Sequence, residues 1–66
     1  MFKEYDVVVA VNSLSDQVFP GCTGVVLLCL DSDHYEVEFV DGDGESLEVL
    51  TVSEAALELK EDSGQS

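Results

Sequence analysis

The feature that most constrains the fold is a strict two-residue alternation in YEVEFV, residues 35–40. Its aromatic and valine side chains alternate with Glu36 and Glu38, and only a β-strand with one buried face places every second side chain on the same side. The glycine- and aspartate-rich stretch 41–44 that follows favours a tight turn. The pattern therefore predicts an antiparallel hairpin whose second strand covers residues 45–52.

Shorter signals predict the remaining elements. A β-branched run at residues 7–11 and an apolar run at 25–30 indicate two earlier strands, and the alternating residues 57–60 indicate a closing edge strand. Before that last strand, Ser53 is the expected cap of a helical turn. The competing interpretation is one continuous helix over residues 54–61, which helix propensity favours. With the turn and the closing strand, short strands and regular turn signals indicate a small barrel.

The apolar run at residues 25–30 does not alternate, which is typical of a strand buried on both faces. A small antiparallel domain has only one interior. We therefore expect part of this strand to be covered by the preceding loop, the C-terminal segment, a second copy of the chain or a partner. The loop, residues 12–23, is expected to fold Val18 and Phe19 back onto the domain, and its PG dipeptide predicts a type II turn.

Charge excludes several classes of partner. Two lysines face fifteen carboxylates in 66 residues, which gives a formal net charge of -13. Phosphate backbones and anionic membranes must be neutralised by lysine and arginine, so direct binding to nucleic acid or to a membrane is not expected. An apolar content of 45% argues against disorder. We predict one domain over residues 1–60 and a disordered acidic tail, residues 61–66.

The cysteines and the first residues predict a reducing, cytoplasmic location. Cys22 and Cys29 have no second pair or histidine cluster beside them, so two half-buried, reduced thiols are expected. The first residues lack the basic start and apolar core of a secretory signal. No apolar run reaches the roughly 18 residues that a membrane span needs.

Four blocks of the sequence resemble a known family. They are EYDVV at residues 4–8, PGCTGVV at 20–26, YEVEFVD at 35–41 and VLTV at 49–52. Together they are similar to the bacterial family catalogued as domain of unknown function 4926, and the resemblance covers nearly the whole globular part. It implies a mostly β fold, a small five-stranded antiparallel SH3-like barrel with a short helical turn before the last strand. The resemblance supplies this fold and identifies no catalytic residues.

The register of the hairpin raises the functional question. If Leu47 and Val49 point inward, Glu48 lies directly opposite Glu38 in one register and opposite Glu36 in the other. Like charges in that position destabilise a sheet by a few tenths to about 1 kcal/mol. The sequence thus predicts a self-repelling face, and three explanations of it stay open.

The first explanation is a solvated face whose repulsion is screened by salt over about 8 Å. The second is a calcium loop at residues 41–45, but Ser46 stands where glycine is needed and Val52 where a bidentate glutamate is needed. The third is a carboxylate surface that binds a basic partner and stands in for the phosphates of a nucleic acid. The candidate partner-binding residues are Glu36, Glu38, Asp41, Asp43, Glu45 and Glu48.

Catalysis has no candidate residues in the sequence. The single histidine, His34, is expected in an exposed turn, and neither cysteine has a basic neighbour that would activate its thiol. A barrel of this size fills its interior with side chains, so no pocket is expected. We therefore predict a protein that is not an enzyme and that needs no metal or other cofactor.

Three functional interpretations follow. The first is an acidic binding protein that inhibits or neutralises a basic, nucleic-acid-binding protein, in the manner of an antitoxin, an immunity protein or an anti-CRISPR-type inhibitor. The second is an interaction module that docks a subunit or peptide through apolar surface of strands one and two, with a homodimer as a related outcome. The third is adaptation to high salt, where acidity keeps a protein soluble. We favour the first.

Overall fold

The computed structural model describes residues 1–61, which form one antiparallel sheet of five strands. The elements are β1 (Val7–Ala10), β2 (Thr23–Cys29), β3 (His34–Val40), β4 (Ser46–Ser53), a 3₁₀ turn (Glu54–Ala56) and β5 (Leu57–Glu61). Their order across the sheet is β4-β3-β2-β1-β5. This arrangement confirms the predicted fold class. Within residues 1–61 the barrel is open, because β4 and β5 are the two edges of the sheet and do not pair with each other.

The predicted helical turn and closing strand at the end of the chain are confirmed, since a short 3₁₀ turn is followed by β5. The competing interpretation, one continuous helix over residues 54–61, is wrong. Ser53 forms no side-chain cap; the N–H of Glu54 instead donates to the carbonyl of Asp33 at 2.7 Å. Of the predicted acidic tail, Glu61 is the last residue of β5. The rest of that tail lies outside the described residues.

The core lies on one face of the sheet. Its members are Val8, Ala10, Val18, Val26, Tyr35, Val37, Phe39, Val52 and Leu57. Val18 comes from the loop between β1 and β2 and is fully buried, as predicted, whereas Phe19 is 57% exposed and does not fold back. The predicted turn follows Phe19: Gly21 has a φ of 94°, and the N–H of Cys22 donates to the carbonyl of Phe19 at 3.0 Å.

The predicted register of the β3–β4 hairpin is wrong beyond the first pair. Val40 lies opposite Ser46, as in one of the two predicted registers, but the next pair is Phe39 opposite Glu48. Leu47 is therefore the extra residue of a β-bulge. A bulge shifts every following pair by one residue and so exchanges the two faces of the strand.

The bulge decides which side chains of β4 reach the core. Val52 is buried and Leu50 packs against the core, whereas Val49, which was expected inside, is 48% exposed. Leu47 is half-buried. The sequence carried a signal for this arrangement, since Leu50-Thr51-Val52 alternates in the phase that the structure adopts.

Within residues 1–61 only the inner face of β2 is buried, so the expected cover of both faces is not seen there; Val25, on the outer face of its first half, is half-buried. Val26 is fully buried, but Leu27 starts a second bulge, and the following Leu28, Cys29 and Leu30 are exposed. Leu28 and Leu30 are each 45% exposed. Neither the loop nor β5 covers this end of the strand within residues 1–61.

The approach of β2 to β3 leaves no room for a side chain at position 24. A Cβ there would lie 2.6 Å from Cγ1 of Val37 and 2.9 Å from Cδ1 of Phe39. We expect Gly24→Ala to lower the free energy of unfolding by about 1–3 kcal/mol, because it overpacks the core. Denaturant unfolding measures this change. Gly42→Ala is the matched control, with nothing within 4 Å of its Cβ; equal loss in both variants would contradict the packing.

The β4 register makes a second prediction. Val52→Ala should lower the free energy of unfolding by about 2 kcal/mol, since it leaves a cavity in the core. Val49→Ala should cost less than about 0.5 kcal/mol, because that side chain is on the outer face. Thermal or denaturant unfolding of the two variants compares them directly. A larger loss of unfolding free energy for Val49→Ala than for Val52→Ala would favour the register without the bulge.

Candidate binding surface

The two glutamates of β3 lie on the outer face of the sheet, away from the core. Glu38 lies between Val25 of β2 and Val49 of β4, and Glu36 lies between Leu28 and Thr51. Residues directly opposite each other share a face of the sheet. We call this surface the outer patch. It consists of Val25, Leu28, Glu36, Glu38, Val49 and Thr51.

The predicted pairing of Glu48 with another glutamate does not occur. Glu38 faces Val49 and Glu36 faces Thr51, because the bulge moves Glu48 to the side of the buried Phe39. The hairpin is therefore not self-repelling through directly opposed carboxylates. Each glutamate has apolar or hydroxyl neighbours across the strands, and in residues 1–61 neither carboxylate forms a hydrogen bond or an ion pair.

Glu48 has a structural contact of its own. Its Oε2 accepts a hydrogen bond from Oγ of Ser15 at 3.1 Å, which ties the loop between β1 and β2 to the start of β4. Glu48 is half-buried there. Among the predicted partner-binding residues on the strands, Glu48 is the one that lies on the opposite face from the outer patch.

The turn between β3 and β4 holds the other three predicted carboxylates. Oδ1 of Asp41 accepts hydrogen bonds from the N–H of Asp43 at 2.9 Å and of Glu45 at 3.0 Å. Asp41 thus organises the turn, as aspartate does in many turns. Asp43 and Glu45 are exposed. The structure therefore brings Asp43 and Glu45 to the end of the β3–β4 hairpin, next in the chain to the strand that carries Glu36 and Glu38.

A separate polar cluster holds the N-terminal residues against the sheet. The hydroxyl of Tyr35 donates to Oε1 of Glu54 at 2.8 Å and accepts from the N–H of Phe2 at 3.1 Å. The amino group of Met1 lies 3.2 Å from Oε2 of Glu54. The hydrogen bond from Tyr35, helped by that amino group, lowers the pKa of Glu54, while burial raises the pKa of Tyr35.

Few other groups in the described part of the chain offer chemistry. His34 is exposed, and its Nδ1 lies 3.1 Å from Oδ1 of Asp31. Both cysteines are free thiols; Cys22 is half-buried as expected, but Cys29 is exposed and not half-buried. Residues 1–61 enclose no pocket and gather no group of three potential metal ligands. Nor do they include a helix with the length and apolarity for a membrane crossing.

The sequence as a whole places this fold in a family. The family model described as a domain of unknown function, DUF4926, matches residues 4–59. The chain belongs to the DUF4926 family. The match confirms the predicted resemblance and runs from the residues before β1 into β5 of this DUF4926 domain. No curated protein and no solved structure matches the chain.

The outward position of the two glutamates of the outer patch was predicted from the sequence, but the identity of their neighbours was not. Val49 was assigned to the core, and Thr51 was given no role. The alternation of Leu50-Thr51-Val52 was the available signal, because it places Thr51, and hence Val49, on the face of Glu36 and Glu38. In this DUF4926 domain the candidate surface is thus mixed, with carboxylates among exposed valine, leucine and threonine.

The Glu54 cluster predicts an acid-dependent loss of stability. The pKa of the Glu54 carboxyl group is lower in the folded protein than the ordinary value of 4.5. The contribution of this group to stability is therefore present above pH 4.5 and is lost as pH falls through the folded pKa. Glu54→Gln should therefore lower the melting temperature near neutral pH and should differ less from the parent at lower pH. Thermal unfolding between neutral pH and pH 3 measures this. Glu58→Gln on β5 is the control, and a Glu54→Gln deficit that does not change with pH would contradict the assignment.

Proposed function

We propose that this DUF4926 domain is a non-enzymatic, cytoplasmic binding protein that inhibits or neutralises a basic, nucleic-acid-binding partner through its acidic surface. An antitoxin, an immunity protein or an anti-CRISPR-type inhibitor is the concrete form. The observation that supports it most directly is the pair of glutamates on the outer face of β3. Their carboxylates are held by a sheet and have no partner within residues 1–61.

The spacing of these carboxylates suits a phosphate-like role. Two residues along a strand advance about 6.8 Å, which is twice the axial rise of about 3.4 Å between phosphates on one DNA strand. Glu36 and Glu38 therefore present two negative charges at a spacing commensurate with the phosphates of a DNA strand. Asp43 and Glu45 supply further exposed charges at the adjoining turn.

The overall charge supports the same partner. Two lysines stand against fifteen carboxylates. Lys60 directs its Nζ to the hydroxyl of Thr23 at 3.2 Å. A net charge of -13 attracts cationic surfaces over long range and accelerates encounter with them.

A second candidate function has its own observation. Leu27, Leu28 and Leu30 are 36%, 45% and 45% exposed at the end of β2. Consecutive exposed apolar residues are unusual on a surface without a role in binding. They favour an interaction module that docks a subunit or peptide through this strand, and such docking would hold or strengthen as salt rises.

The proposed function predicts competition with DNA. Titration of the protein into a complex of linker histone and fluorescent duplex DNA should release the DNA, and the release should weaken steeply as salt rises. The double substitution of Glu36→Gln with Glu38→Gln should weaken competition on the order of fivefold. The matched control is Glu4→Gln with Asp16→Asn, which removes the same charge from exposed positions elsewhere.

Two results would contradict this proposal. Equal weakening by both pairs of substitutions would mean that net charge acts without a defined surface. Competition that persists at high salt would favour apolar docking through Leu27, Leu28 and Leu30.

A further inference from the structure

The two edges of the sheet differ in how well they are protected against pairing. β5 has five residues, carries Glu58, Lys60 and Glu61, and has a bulge at Lys60. Charged side chains, shortness and bulges are the features that prevent an edge strand from accepting another strand. β5 has all three.

β4 has much less protection. It has eight residues, contains neither lysine nor proline, and carries Glu48 as its single charge. Its bulge lies at the start, so the segment 48–53 pairs regularly with β3. In the described part of the chain no strand lies on its other side. Alternate backbone N–H and C=O groups of this segment therefore point away from the sheet and can pair with an added strand.

Charge selects the occupant of this edge. A second copy would bring another net charge of -13 against the first. A cationic strand meets attraction instead of repulsion at the same place. The acidity that discourages self-association at an unprotected edge thus favours a basic segment there.

The outer patch gives such a segment a specific pattern. An added strand would lie about 4.8 Å from β4 and about 10 Å from β3. From that position a lysine or arginine can lay its aliphatic stem across Val49 or Thr51 and reach the carboxylate of Glu38 or Glu36. The residues between would point to the other face, next to Leu50 and Val52. The partner segment should therefore alternate basic residues with apolar or β-branched ones.

We infer that the free edge of β4 is a pairing site for an extended, basic segment of a partner protein. The main-chain groups of residues 48–53 supply the hydrogen bonds, and the outer patch supplies the side-chain selectivity. This inference rests on the proposed function and adds to it the part of the partner that is bound and the way it binds.

The test uses the full chain and a short peptide that alternates lysine with valine. Nuclear magnetic resonance with amide hydrogen exchange should show new protection at alternate backbone amides of residues 48–53, those that point away from β3, when the peptide binds. A peptide of equal charge with proline at two valine positions should bind much more weakly, since proline cannot donate to the strand. Val49→Lys should weaken binding by at least about tenfold, because it places a positive charge in the outer patch.

Leu59→Lys is the matched control for Val49→Lys. Leu59 is 51% exposed on the opposite edge strand, so the change in net charge is the same, and binding should weaken by less than about threefold. Equal weakening by both variants, or protection that appears elsewhere than on β4, would overturn the inference. The inference would also be overturned if sedimentation showed the parent protein to be a dimer and the Val49→Lys variant a monomer, because a second copy would then occupy the edge.

The two proposals can fail separately. If the protein competes with DNA for linker histone but the peptide leaves β4 unprotected, the proposed function stands and the edge pairing is wrong. If the peptide pairs with β4 but the protein never displaces DNA, the edge pairing stands and the nucleic-acid mimic is wrong. The mapping on the parent protein remains informative even if Val49→Lys does not fold.

Discussion

The fold depends on the contact between the backbone of Gly24 and the side chains of Val37 and Phe39. A chain of this size has one interior. It is closely packed at Gly24, where the absence of a side chain on β2 lets Val37 and Phe39 of β3 lie over the backbone. That contact fixes which face of β3 is buried. The opposite face, with Glu36 and Glu38, is then committed to solvent or to a partner.

Local sequence patterns predicted the strands better than they predicted the register in which the strands pair. The alternation of residues 35–40 predicted both the strand and its buried face, and the short apolar runs predicted the other strands in order. The hairpin register could not be read in the same way, because Leu47, Val49, Leu50 and Val52 offer two competing inward sets. A bulge allows the strand to direct residues of one set inward before it and residues of the other set inward after it. The position of the bulge depends on sheet twist and on packing against other strands, and the sequence of β4 alone does not specify these.

The same limit applied to the candidate surface. Composition predicted an acidic protein, and the outward position of Glu36 and Glu38 was correct. Their neighbours depend on register, so the apolar and hydroxyl character of the outer patch emerged only with the fold. The predicted repulsion between opposed glutamates was a product of the wrong register, and it disappears when Glu48 turns to Ser15.

The three bulges, at Leu27, Leu47 and Lys60, also bear on how chains of this family should be compared. At each bulge one extra residue interrupts the alternation of inward and outward side chains. A relative that lacks this extra residue therefore keeps the same inward and outward positions on both sides of the bulge. Gaps in an alignment of DUF4926 sequences therefore belong at these positions. If the gap at position 47 is left out of the alignment, core side chains of one chain are aligned with surface side chains of another.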